Sequence, residues 1–530
     1  SRKVENRAVW LRPLDTDVSQ VAARLDKLKE YNINIVYLET EWSGYTIFPM
    51  ENEITEHNPI FNGFDVLQAY IDEGHKRGME IHCWVEDFIV GDSITNNGGP
   101  VKNKKPEWLL ISRNGDNFEH DYSYNCDFYY INPALPEVRD HIISVYKEIV
   151  KKYDIDGLQL DYIRYPDGKD GSNDFGYDEY TRGLFMEQYG VDPINVFPGD
   201  ELWLEWCKFR AEFVNTFVYR LVSELKALKP DLSISADVWA DYENGPTRKM
   251  QEPKEWVEKG YIDNLLPMSY TLSPSGTETD TRNTLEFTEN YTYVTVGLGP
   301  YVLKGTKGIL SEQIKTANEL GADGTSLFEY EALVSGGFEA ELQNGPYRNE
   351  ALPVNNNAPE TISTLLDEMI RKIDEIYVPL NGMSQKEGRD LKSRIGNILD
   401  TSKFFRKKGD DIKNASDLKK SLEELLSTIN NSRSLEREVK SRMGTDLNYS
   451  IRILDIHVSR LNFMENHKVK AYAIEMPEDE LKPGDNFNIR VKAIFDDEGN
   501  EIMYLDPMHY TVDTTNKKVL TVENGMLKVN

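Results

Sequence analysis

Short apolar runs alternate with amphipathic stretches from residue 7 to about 345. Four runs open the series: "RAVWLR" (7–12), "INIVYLE" (33–39), "MEIHCWVE" (79–86) and "GLQLDYI" (157–163). Four more follow: "LSISADVW" (232–239), "NLLPMSY" (264–270), "YVTVGLG" (293–299) and "GTSLFEY" (324–330). Each is short, nearly continuous in apolar residues and bounded by turn formers, as buried parallel strands are. The segments between them, such as "VSQVAARLDKLKEY" and "EVRDHIISVYKEIVKKY", place apolar residues three and four apart and predict helices. Eight strand–helix repeats over this length predict an α/β fold of the (β/α)8 TIM-barrel type, spanning residues 1–350.

The period changes at "LPVNNNAPETI" (352–362). Residues 351–466 carry helical spacing throughout, which predicts a helical domain. From about 468 the pattern alternates, with "KPGDN" and "DDEGNE" as turns, so residues 467–530 are expected to form a small β-sandwich of immunoglobulin type, one that reads as cut short at Asn530.

Composition narrows the function. At 530 residues the chain exceeds one core. A net charge of −29 works against nucleic acid and anionic membrane surfaces, since phosphates need a basic face. No run reaches the roughly 18 apolar residues that a membrane span needs. Three cysteines and eight histidines show neither a disulfide framework nor metal-ligand spacing, and no glycine-rich phosphate loop follows a strand. No cofactor or metal is therefore expected. The acidic loop at 167–176 misses the spacing of a calcium-binding loop and reads as a solvated turn. The chain opens on Ser1 without an apolar leader, as a trimmed or mature chain does.

In such a barrel the chemistry gathers where the strands end. Those ends carry Arg12, Glu39, Glu41, Trp42, Trp84, Glu86, Asp87, Asp161, Arg164, Asp237, Trp239, Tyr270, Tyr301 and Glu329. Acids and aromatics dominate, which is the pairing that sugar hydrolysis requires: two carboxyls for the bond and ring faces for the pyranose. Strand alternation places Gly157, Gln159 and Asp161 on one face, and a polar row inside a barrel needs a reason. Asp161 is thus the leading catalytic candidate. Asp237 is its first expected partner and Glu86 the second. Glu39, Trp42, Tyr45, Trp84, Arg164, Trp239, Tyr270 and Glu329 are the expected substrate-binding residues. The clustered acids predict a preference for neutral or amino-bearing glycans.

The stretch "YDIDGLQLDYIRYP", together with "ENRAVW", "GYTIFP", "GHKRGMEIHCW", "PEWL" and "INPALPEVRDHI", resembles the glycosyl-hydrolase-like family 10 of bacterial envelope proteins. The match runs over roughly residues 5–345. The resemblance implies a secreted or cell-envelope glycoside hydrolase acting on an N-acetylhexosamine polysaccharide, foremost peptidoglycan glycan strands. A partly deacetylated poly-N-acetylglucosamine is the alternative substrate. The C-terminal domains would then hold the protein on the cell wall. Two positions depart from the family pattern: Tyr162 stands where many relatives have a second aspartate, and Pro267–Met268 where they have proline–glutamine. A non-catalytic glycan-binding scaffold is the rival reading.

Overall fold

The computed structural model describes the chain except residues 1, 51, 169–172, 289–290, 356, 409–411, 467–469, 478–479, 488, 495–501, 506–513 and 524–525. The core of the acidic loop at 167–176 therefore lies outside the described residues.

Eight parallel strands close on themselves. They are β1 (Asn6–Leu11), β2 (Ile35–Trp42), β3 (Glu80–Glu86), β4 (Gly157–Asp161), β5 (Ser233–Trp239), β6 (Asn264–Met268), β7 (Tyr293–Leu298) and β8 (Gly324–Leu327). Each pairs with the next in sequence, and β1 pairs with both β2 and β8. Sequence and structure agree on the α/β barrel, with strand ends that coincide or differ by at most three residues.

Alternation sorts the side chains. Val9, Val36, Cys83, Leu158, Ile234, Leu265 and Val296 face outward and join the large apolar core. Ala8, Trp10, Ile35, Tyr37, Trp84 and Leu266 form a separate small cluster inside the barrel. The outer layer includes helices Val18–Glu30, Val66–Lys76, Pro136–Lys152, Trp203–Leu228, Pro274–Thr288 and Ile309–Leu320. Gly157 opens β4 because the His82 imidazole fills the space that a Cβ would need.

The barrel's lower end is sealed by the segment that follows it. Asn355 accepts from the Asn6 amide (3.1 Å) and donates to Glu80 (3.3 Å), two residues at strand starts. Four long helices come next: Ala358–Lys372, Gln385–Lys408, Ile412–Asn431 and Arg437–Asn466. Arg452 of the last one pairs with the fully buried Asp323 (2.5 Å), and Arg460 with the buried Asp263 (3.0 Å). Two antiparallel three-stranded sheets finish the described chain, one built on Ala471–Glu475 and one on Met526–Val529. None of the described helices is long and apolar enough to cross a membrane.

A small sheet in the β3–β4 connection was not foreseen. Ile89–Asp92 and Glu119–Asp121 both pair with Cys126–Tyr130. Its strands are three to five residues long, too short for a period to register.

Candidate active site

Register places three acids in one layer. Glu86 lies directly opposite Asp161, and Ala236 opposite Leu160, so Asp237 is level with Asp161 on its other side. All three point into the barrel mouth.

Asp161 is held from below and behind. The Trp84 indole N–H donates to Oδ2 (2.9 Å), and the Tyr162 N–H donates to Oδ1 (2.7 Å). Tyr162 reaches it by adopting φ 51°, a left-handed conformation that costs a β-carbon-bearing residue about 1–2 kcal/mol. Burial pushes the Asp161 carboxyl up to about 6, against the opposing pull of these donors and of Arg164. Asp237 is also driven well above the carboxylate range, first by burial and then by the charge of Asp161. It is only 2% exposed, and among the described residues its Oδ1 has no hydrogen-bond partner.

Glu86 sits in a different setting. Arg12 binds Glu39 through two nitrogens, one at 2.9 Å, and reaches Glu86 at 3.8 Å. Burial, followed by the neighbouring Glu39, raises the Glu86 carboxyl well above its ordinary value. Its side chain keeps 12% exposure, more open to the mouth than Asp237. One arginine thus serves Glu39 closely and Glu86 at a distance. That leaves Glu86 the member better placed to hold a proton.

A bulge separates Glu39 from Glu41. After it, Glu41 pairs with the outward-facing Val85 and leaves the barrel interior. Burial pushes Glu41 up to about 8. Asp87 likewise turns outward, where the Tyr146 hydroxyl donates to it (2.6 Å).

The expected binding residues divide into four settings. Trp239 and Tyr270 line a cleft of about 870 Å³ with Tyr242, Asp241, Asp280 and Lys254. Arg164 lines a second cavity, of about 610 Å³, with Tyr130 and Tyr162. Trp84 and Trp42 are buried: Trp84 serves Asp161, and Trp42 lies beneath the Arg12 guanidinium (5.2 Å), with Tyr45 opposite it in a short ribbon. The Glu329 carboxylate caps helix Tyr330–Ser335, accepting from Glu331 and Ala332 N–H, instead of standing free at the mouth.

Lys249 went unnoticed in the sequence. It reaches the mouth from a loop and stacks on Trp239 (4.8 Å) beside Arg248 (4.8 Å), so cations attend the ring expected to carry sugar. No strand end or motif marks it.

A closed parallel barrel with inward acids of displaced acidity at its strand ends is the arrangement of a glycosidase-type barrel. The chain belongs to the Glycosyl hydrolase-like 10 family, whose model matches residues 5–318. It is 26% identical over 287 residues to glycosyl hydrolase DigH of Escherichia coli, covering 47% of this chain and 56% of that protein. It is 27% identical over 271 residues to glycosyl hydrolase YngK of Bacillus subtilis, covering 46% of this chain and 48% of that protein. The chain thus spans about half the length of these curated relatives. In fold it is similar to the PgaB (BpsB) glycoside hydrolase domain of Bordetella bronchiseptica, at TM-score 0.50 and 14% identity, covering 64% of this chain and 98% of that one.

Proposed function

We propose that the protein is a glycoside hydrolase that cleaves an N-acetylhexosamine-containing envelope polysaccharide, foremost peptide-free peptidoglycan strands, with two carboxyls at the barrel mouth. One observation carries the reading: Asp161 and Glu86 stand side by side on neighbouring strands, with burial and neighbours giving them different proton affinities. Asp161, pushed up to about 6, is the ionised member above that pH. Glu86 is the general acid that protonates the leaving oxygen. Asp237 lies alongside as a buried neutral acid. Trp10 supports this layer from within, its indole N–H donating to Gln159 (2.6 Å) below Asp161. The family resemblance supports the hexosamine substrate, and attachment to the cell wall belongs to the same reading.

The test is release of new reducing ends from peptide-free glycan strands and from partly deacetylated poly-N-acetylglucosamine. The reading expects cleavage of the first, with product mass giving the bond cut. Cleavage confined to the second would replace the substrate. Binding without any cleavage would make the barrel a scaffold.

A further inference from the structure

The cavity beside Asp161 carries two cations that the glycosidase reading leaves unused. Arg164 and Lys249 both line it, among the rings of Tyr122, Tyr124, Tyr130 and Tyr162. The Arg164 guanidinium donates to the Tyr165 carbonyl (3.0 Å) and stacks on Tyr162 (4.9 Å) and Tyr130 (5.9 Å). Among the described residues no carboxylate lies within ion-pair distance of it; it is half-buried beside the Tyr130 hydroxyl. A partly desolvated guanidinium with donors to spare is costly unless something accepts from it.

Three acids, Asp167, Glu119 and Asp121, line the cavity with the two cations, and the charges of Glu119 and Asp161 act on Arg164. Asp167 takes Arg248 with both oxygens (3.0 and 2.6 Å) and Lys249 at 3.2 Å, so one carboxylate is shared between two cations. Glu119 accepts from the Asp167 backbone N–H (3.2 Å). Asp121 holds the hairpin turn, accepting from the Ser123 and Tyr124 N–H groups (2.7 and 3.2 Å). Burial, and then the charge of Arg164, lower the Lys249 ammonium to about 8. Two cations that repel each other in one cavity are stabilised by an anion placed between them. Tyr122 and Tyr124, 88% and 73% exposed, add open ring faces at the rim for a pyranose.

We infer that this cavity is a sugar subsite in which Arg164 and Lys249 bind a carboxylate carried by a hexosamine ring next to the scissile bond. A carboxylate fits the guanidinium fork with two parallel hydrogen bonds, whereas a hydroxyl offers only one oxygen. The inference rests on the glycosidase reading and names the substituent that the substrate must bear. It also reverses, for this subsite, the expectation that the acidic mouth favours uncharged or amino-bearing sugars.

The test compares peptide-free peptidoglycan strands, which carry an ether-linked carboxylate, with the same strands after chemical reduction of that carboxylate to an alcohol. Cleavage rates and binding to Asp161→Asn are both measured. Wild type is expected to favour the carboxylate form at least about tenfold in kcat/KM, and Asp161→Asn to favour it in binding by a similar factor. Lys249→Gln and Arg164→Gln should each shrink that ratio towards one; Arg164→Lys should keep part of it. A ratio near one in wild type, or one that neither variant changes, overturns the subsite. A carboxylate preference in binding without cleavage by wild type defeats the glycosidase reading and leaves the subsite standing.

Discussion

At the scale of single residues, environment rather than identity separates the acids. Asp161 is ionised above about pH 6, so the acid limb of the kcat/KM profile should lie near there. Trp84→Phe removes the indole donor that favours the charged form, and that limb should move to higher pH. An unmoved limb would mean that the limb belongs to another group. Glu41 gives a stability prediction. Its pKa is raised from 4.5 to about 8, so across that window it is protonated in the fold and ionised in the unfolded chain. Its contribution is fully present below about pH 4.5 and is lost as pH rises through 8. Glu41→Gln, always neutral, should flatten the fall in denaturation midpoint between these pH values. The same slope in wild type and variant would show that Glu41 does not titrate in this way.

At the scale of elements, the sequence revealed what has a strong period and missed what does not. All eight strands were legible because their apolar runs are continuous, and Asp161 because an alternating strand cannot bury a polar row without cause. The facing of Glu41 was not legible, since a single-residue bulge reverses the alternation without changing composition. The capping role of Glu329 was hidden for a similar reason: an acid at a strand's end and an acid at a helix's start are the same residue here. Arg164 follows a strand end and reads as a substrate-binding residue, whereas Lys249 comes from a loop with no periodic signal. The Arg12 guanidinium rests on Trp42, so Trp42→Ala is expected to act through Glu39 and Glu86, which Arg12 joins. The measurable result is a shifted pH profile. Weaker glycan binding with an unchanged profile would instead make Trp42 a sugar platform.

At the scale of the whole molecule, the helical region serves as the floor of the barrel. A barrel ending near residue 351 looks self-sufficient from its pattern of strands. The structure gives that barrel an Asn355 seal and two buried aspartates, each paired with an arginine from the last long helix. Removing one partner of a buried pair typically costs 3–5 kcal/mol. Among the described residues, Arg452→Met leaves Asp323 with only its Val294 N–H donor and should lower the thermal midpoint clearly. A chain cut at Ala351 should be less stable still, or fail to fold. A cut chain as stable as the barrel in the full protein would show the floor to be dispensable.

The central claim, that Asp161 is the ionised carboxyl of a glycosidase, is tested most directly by Asp161→Asn on peptide-free glycan strands. The substitution keeps the shape and removes the charge. The account predicts a folded protein that still binds the strands and releases reducing ends at least about a hundredfold more slowly than wild type. Turnover equal to wild type on the same strands would contradict it.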